Sequence, residues 1–452
     1  MFIGRKKELQ MIERKIDSTR FEFGIIYGRR RIGKTRLLQE VVSKHNAIYY
    51  VANEMGLDYN LVQFGKVVAA HFDEPIAFSD FESIFKYLAK RSQERTLTVI
   101  FDEFTYLMAS NADVLSVFQN IIDQFLIESN IKFILSGSHV GMVEEALAYK
   151  KPLYGRATFK LKLEPFDYYE ASSFYPAMSS EDKVRLYSIF GGVPYYASKI
   201  DDSKSVKQNV MDLIIDEGAI FEDEIMFFLS QEVRSVSTYG RILNAIASGA
   251  TRLNEIASKS GTANTGTTSK YLDVLMMLGI VEKETCFGEK SNSKKTLYKI
   301  KDQLFKFHYS FIEKNRSRKV IMESDHFFDT LIAPHLDSFV SFEFENICKR
   351  YLTIINASRM EEIGRFWYND AKKHLDIEID IVMKTLEQLV VFECKWTNTP
   401  INKRVLDELE DKGVYIKANA LGFFSKSGYT ESLEKADALL YTVDDLYFEN
   451  NK

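Results

Sequence analysis

Along the first third of the chain, unbroken apolar runs alternate with stretches in which apolar residues recur every three or four positions. The runs lie at 21–27, 47–51, 97–103, 132–138 and 159–163; the helical spacing appears at 8–16, 36–43, 61–72 and 81–91. A short continuous apolar run predicts a strand buried on both faces, and the longer spacing predicts a helix with one buried stripe. Strand and helix in turn predict βαβ units around a parallel sheet.

Past residue 235 the pattern changes. Three short amphipathic helices are predicted at 239–247, 253–259 and 269–278, the last begun by Thr265-Gly266-Thr267-Thr268, with Gly261 and Gly279 as stops. Segments 280–283 and 296–300 read as a hairpin. Three helices and a hairpin in this order resemble a winged helix. Its third helix offers Thr265, Thr267, Thr268, Ser269 and Lys270, and its wing Lys290, Lys294 and Lys295. That set suits phosphate contact with DNA, and equally a structural or protein-contact module. The aromatic stripe at 303–311 reads as core, and the basic run at 314–319 as a solvated linker. Farther on, a long helix is predicted at 339–352, strands at 365–368, 378–383, 389–395, 420–425 and 439–442, and a helix at 403–412.

These boundaries give an expected plan: a P-loop core at 1–164, a helical lid at 165–234, a winged helix at 235–302, a linker at 303–335 and a mixed α/β domain at 336–452. With 452 residues, one hydrophobic core does not suffice. A net charge of −5 gives no global nucleic-acid signature, so any such contact has to come from a local patch. Cys286, Cys348 and Cys394 are far apart and form no metal-type spacing, which fits reduced thiols inside a cell. No apolar run approaches the ~18 residues of a membrane span. A cytoplasmic protein with no membrane partner is expected.

The run at 21–27 leads into Gly28-Arg29-Arg30-Arg31-Ile32-Gly33-Lys34-Thr35, the Gly-x-x-x-x-Gly-Lys-Thr spacing of a phosphate-binding loop. Glycines let backbone N–H groups approach phosphate oxygens, and the helix that follows turns its positive end to the anion. Lys34 is placed for the β/γ-phosphates of ATP and Thr35 for Mg²⁺. The run at 97–103 ends in Asp102-Glu103. Beside a P-loop, Asp102 is expected to hold the Mg²⁺ shell, and Glu103 to orient or deprotonate the attacking water. The run at 132–138 ends in Ser136-Gly137-Ser138, where Ser136 or Ser138 would sense the γ-phosphate or simply cap a turn. Arg156 would approach that phosphate in cis or from a neighbouring subunit; the second arrangement makes the chain a homo-oligomer. The segment before the loop, with helical spacing at 8–16, either covers the sheet or lies over the adenine.

Phe2-Ile3-Gly4-Arg5, the arginine-rich P-loop, Asp102-Glu103, Ser136-Gly137-Ser138, Pro152-Leu153-Tyr154-Gly155-Arg156 and Gly191-Gly192-Val193-Pro194-Tyr195-Tyr196 follow in that order. Over roughly the first 230 residues this succession resembles the archaeal-type ATPase family, a branch of P-loop NTPases near AAA+ and STAND proteins. The resemblance implies an ATP-hydrolysing α/β core with a helical lid, in which Gly191-Gly192-Val193-Pro194 is a signature turn.

The last domain carries a second constellation. Strand alternation puts Glu378 with Asp380, and Glu393 with Lys395, on shared faces. A helix glutamate (Glu345), a strand aspartate (Asp380) and Glu-x-Lys on the next strand resemble the PD-(D/E)xK nuclease arrangement found at the end of such ATPases. The resemblance implies Mg²⁺ held by Glu345, Asp380 and Glu393, with Lys395 at the reacting phosphate. The competing reading is a set of hairpin salt bridges. The whole chain then reads as a DNA-associated ATPase with a nuclease-like end, or as a nucleotide switch whose appended domains contact protein.

Overall fold

In the computed structural model, which describes residues 2–111, 113–290, 293, 296–370 and 375–448, the apolar runs of the first third lie side by side. Strands β1 (Glu22–Tyr27), β2 (Ala47–Val51), β3 (Leu97–Asp102), β4 (Ile131–Gly137) and β5 (Phe159–Lys162) form one sheet in the order β2-β3-β4-β1-β5. Every neighbouring pair is parallel. Parallel neighbours need crossovers, and helices Lys34–Lys44, Phe81–Arg91 and Val114–Ile121 lie on three of them. The strands β3 and β4 are buried at every residue, as their unbroken apolar runs require. Phenylalanines fill one core of this sheet: the Phe101 ring centroid is 4.5 Å from that of Phe64 and 5.6 Å from that of Phe118. Each ring fully removed from water contributes about 1.5–3 kcal/mol. Lys132 is the polar exception on β4. It is tolerated because its ammonium donates to the Ser18 carbonyl at 2.7 Å and also to that of Arg20.

The chain divides into two compact units. One is residues 1–165 with Val193–Tyr195; the other is 166–192 with 196–452.

In the second unit, helices Tyr168–Ser172, Ser180–Phe190 and Glu224–Glu232 precede a three-helix group, Val236–Ala247, Leu253–Ser260 and Thr265–Met277. The third of these starts where the Asn264 side chain accepts the Thr267 N–H at 2.8 Å, a normal N-cap. An antiparallel hairpin follows, β6 (Val281–Thr285) with β7 (Thr296–Ile300). The wing residues Lys294 and Lys295 lie outside the described residues. The stretch 303–335 differs from the expected linker. It folds into short helices, including Gln303–Phe307, where Phe305 and Phe307 are buried, and Arg316–Ile321, which buries no residue.

The second sheet is mixed. Strands β8 (Met360–Asp370), β9 (Leu375–Thr385), β10 (Leu389–Lys395), β11 (Ala420–Ser425) and β12 (Leu439–Thr442) run in the order β12-β11-β10-β9-β8. The pairs β8/β9 and β9/β10 are antiparallel; β10/β11 and β11/β12 are parallel, with helix Lys403–Val414 between β10 and β11. Helix Ala333–Ile355 packs on this sheet and runs longer than its spacing at 339–352 predicted. No described helix is long and apolar enough to cross a membrane.

Candidate functional site

The first unit builds its site where β1 ends. A Cβ at Gly28 would stand 2.6 Å from the Leu163 carbonyl oxygen, so no larger residue fits between the loop and the strand beside it. Gly33 has φ +92°, a left-handed conformation that lets the loop turn into helix Lys34–Lys44. Arg31 also adopts positive φ, 67°, and its guanidinium lies 4.6 Å over the Tyr195 ring. That contact gives the Gly191–Tyr196 signature a physical place: Tyr195 sits on the P-loop, and Pro194 is 3.8 Å from a Cβ built at Gly33. Lys34 is buried, and its ammonium donates to the carbonyls of Gly28 at 2.8 Å and Arg29 at 3.1 Å.

Arg5 braces the loop from the N-terminal segment. Its guanidinium donates to the Ile32 carbonyl at 3.1 Å and the Glu164 carbonyl at 2.6 Å, and it pairs with Glu8 at 3.0 Å. Only its place in the Phe2-Ile3-Gly4-Arg5 motif marked this residue in the sequence.

At the end of β3, Asp102 gathers three donors. Its Oδ2 accepts the Thr35 hydroxyl at 2.8 Å and the Tyr49 hydroxyl at 2.6 Å, and its Oδ1 accepts the Glu103 N–H at 3.0 Å. Burial, then the hydrogen bond to Asp102, pushes the Tyr49 phenol well above its usual range, so it stays a donor. Tyr49 was missed from sequence. The available signal was its register on β2, where it pairs with Ile100 one turn of the pleat before Asp102. Glu103 takes φ 53° just past the strand, and its Oε1 accepts the Ser138 hydroxyl. Ser138, not Ser136, therefore touches the acid. The register Phe101↔Leu135, carried one residue on, sets Asp102 beside Ser136, whose buried hydroxyl has no protein partner.

Arg156 stands elsewhere. Thr158 donates its N–H to the Phe23 carbonyl at 2.8 Å, so this segment lies beside the start of β1, whereas the P-loop follows its end. Arg156 forks onto Asp123 at 2.8 and 2.6 Å and donates to the Pro152 carbonyl at 2.7 Å. Approach to a γ-phosphate within the same chain is thus corrected: strand direction places it at the opposite end of the sheet.

In the second unit, Glu345 of the long helix faces Asp380 of β9, and Asp380 faces Glu393 of β10. Burial, then Asp380, pushes the Glu345 carboxyl up to about 7. Burial, then Glu393, pushes Asp380 up to about 6, although Asp380 Oδ2 accepts the Cys394 N–H at 2.8 Å. Glu393 is held differently, with Lys395 at 2.5 Å on one oxygen and Lys412 at 3.1 Å on the other. Among the described residues, no three histidine, cysteine or carboxylate groups converge closely enough to hold a metal ion. With both its oxygens on ammonium groups, Glu393 does not join Glu345 and Asp380 as a ligand set in this arrangement. Glu378 pairs with Arg365 across β8 and β9.

Residues 2–200 match the family described as an ATPase domain predominantly from Archaea, and 308–410 match a family of archaeal and bacterial proteins of unknown function. An uncharacterized protein of Methanocaldococcus jannaschii is 32% identical over 463 residues, covering 98% of this chain and 100% of its own length. An ATP-binding protein of the same organism is 48% identical over 40 residues, 9% of this chain and 68% of its own length. Among solved structures, the Walker-type ATPase of Pyrococcus abyssi superposes with a TM-score of 0.53 at 19% identity, over 68% of this chain and 96% of its own. With the P-loop, the Thr35–Asp102 pair and the five-stranded parallel sheet in one unit, and a relative that aligns over nearly its full length, this chain belongs to the archaeal ATPase family.

Proposed function

We propose that the protein is an ATP-hydrolysing switch that acts on nucleic acid. The observation that carries the ATPase half is the bond from Thr35 to Asp102 beside Glu103, all at the mouth of the P-loop. A hydroxyl and a carboxylate side by side are the hard oxygen donors that Mg²⁺ takes, so these residues fit the ion. When bound, Mg²⁺ supplies neutralisation of the β/γ-phosphate charge. Lys34 exchanges its loop carbonyls for phosphate oxygens, and Gly28–Gly33 present backbone N–H groups. Glu103 takes the proton of the attacking water, and the Ser138 hydroxyl orients its carboxylate. Ser136 has a free hydroxyl beside Asp102 with which to read the γ-phosphate. Arg156 is placed for the γ-phosphate of a neighbouring copy. The test is Glu103→Gln. ATP binding is expected to persist while turnover falls by about 10²–10⁴-fold; unchanged turnover sinks the assignment.

The nucleic-acid half is supported by the meeting of Glu345, Asp380, Glu393 and Lys395 on one wall of the second unit. Lys395 is the group we assign to a phosphate there. Since the carboxylates do not form a metal-ligand set as they stand, no cleavage step is derived through a metal. The rival reading, in which the winged helix and last sheet contact protein, predicts no salt-sensitive nucleic acid on the purified chain. A 260/280 absorbance ratio that falls in high salt separates the two.

A further inference from the structure

We propose that a cavity in the second unit, between the hairpin β6–β7 and the wall bearing Glu345 and Asp380, binds a terminal nucleotide: a phosphomonoester carrying a base. The cavity measures about 260 Å³ and is lined by residues that include Lys299, Lys306, Phe342, Glu345, Lys349 and Asp380. It lies just under the range of about 300–1,000 Å³ usual for small-molecule sites. One nucleotide-sized group fills it; a duplex does not enter.

The hairpin wall is fastened in place. The Phe287 N–H donates to the Arg365 carbonyl at 2.8 Å, and the Gly288 N–H to a Glu362 carboxylate oxygen at 3.0 Å. Cys286 and Trp367 exchange contacts at 3.4 Å. The chain just past β6 is thus attached to the edge strand β8, which fixes this wall of the cavity. A strand interior has neighbours on both sides and does not fit; a terminus does.

The charges choose the ligand. Lys299 is neutralised by Glu282 at 3.2 Å and Glu284 at 3.1 Å, and Arg365 by Glu378. Lys349 reaches Glu284 only at 3.8 Å. Lys306 makes no ion pair among the described residues; its ammonium lies 5.2 and 5.4 Å from the ring centroids of Phe339 and Phe342. Burial holds Lys306 below its usual range, with Glu343, Glu345 and Glu282 only partly offsetting it and none close enough to pair. Two under-neutralised ammonium groups on one cavity suit a dianion. Phe342, 53% exposed, offers a ring on which a base stacks.

The inference rests on the proposed nucleic-acid role of this wall only for the class of ligand, and its test needs no catalysis. Binding of fluorescent single strands of about ten nucleotides to the full chain is measured in EDTA. The strands carry a 5′-phosphate, a 3′-phosphate or hydroxyl ends; competitors are a nucleoside monophosphate and a circular single strand. A phosphorylated end is expected to bind at least about ten-fold tighter than hydroxyl ends, and Lys306→Met and Lys349→Gln, each checked for native folding, to remove most of that preference. If the strands bind weakly but the monophosphate binds and loses affinity in both variants, the ligand is the free nucleotide and the site stands. Equal affinity for phosphorylated, hydroxyl-ended and circular strands with no monophosphate binding overturns it, as does a preference unchanged in both variants.

Discussion

Both units end an apolar strand in carboxylates, yet the two sites treat them in opposite ways. Asp102 is surrounded by donors: Thr35, Tyr49 and the backbone of Glu103 share its two oxygens. Asp380 has one backbone donor and stands against Glu345 and Glu393, so burial and like charge push it up to about 6. The same residue type is therefore ringed by donors in one sheet and crowded by like charge in the other. Strand position alone does not make a carboxylate functional; what faces it decides what it can hold.

Substitutions sharpen that contrast. The largest effect is expected at Asp102. Asp102→Asn removes the charge that Thr35 and Tyr49 are arranged around, and ATP turnover should fall by about 10²-fold or more in a phosphate-release assay. Asp380→Asn should do the reverse for stability. A carboxyl whose folded pKa lies above its unfolded value loses stability as pH rises from about 4 through 6. The amide keeps an acceptor for Cys394 and carries no charge. Urea midpoints at pH 8 should therefore rise by the equivalent of about 1–2 kcal/mol, with the gain vanishing near pH 4. A lower midpoint at pH 8 would break the contrast.

His308 gives the opposite slope in the same unit. Burial, with Lys319 and Arg316 nearby, lowers its imidazole to about 4. An unfolded chain takes up that proton near pH 6.5 and the folded chain does not, so stability is lost as pH falls from about 6.5 to 4. His308→Phe should flatten that limb by on the order of 1–3 kcal/mol in urea titrations read at pH 4.5 and 7.5. Smaller again is Tyr49→Phe, which removes one of Asp102's donors. A loss of about 1 kcal/mol is expected, read as an ATPase decline of up to roughly ten-fold. The smallest belongs to Tyr195→Leu. Removing the ring under Arg31 should cost about 0.5–1 kcal/mol in nucleotide affinity, read by calorimetry.

Local pattern made the first unit legible because its strands are buried on both faces and its crossovers are amphipathic. Segments 47–51 and 81–91 have the bounds that spacing predicted, and so does 389–395 in the second sheet. The stretch 303–335 was legible only in part: its aromatic stripe reads as core and is buried, and its basic run reads as solvated and is largely exposed, but the short helices that carry both were not read from the sequence. The reading of Arg156 at a phosphate of its own chain failed for a related reason. Its loop sits near apolar strands in sequence, but only the parallel register of β5 on β1 tells which end of the sheet it occupies.

From its residues alone, this chain determines a P-loop between strand and helix, because glycine conformations and the Lys34-Thr35 pair depend on nearest neighbours. It also determines the parallel α/β character of the first unit, since burial on both faces shows in the apolar runs themselves. Tertiary structure decided everything set across strands. It chose Ser138 rather than Ser136 for Glu103, added Tyr49 to Asp102 and Tyr195 to the loop, and tied the chain after β6 to β8. The physical reason is that hydrogen bonds and charge repulsion act over a few ångströms of space, and register, not sequence distance, fixes which side chains come that close.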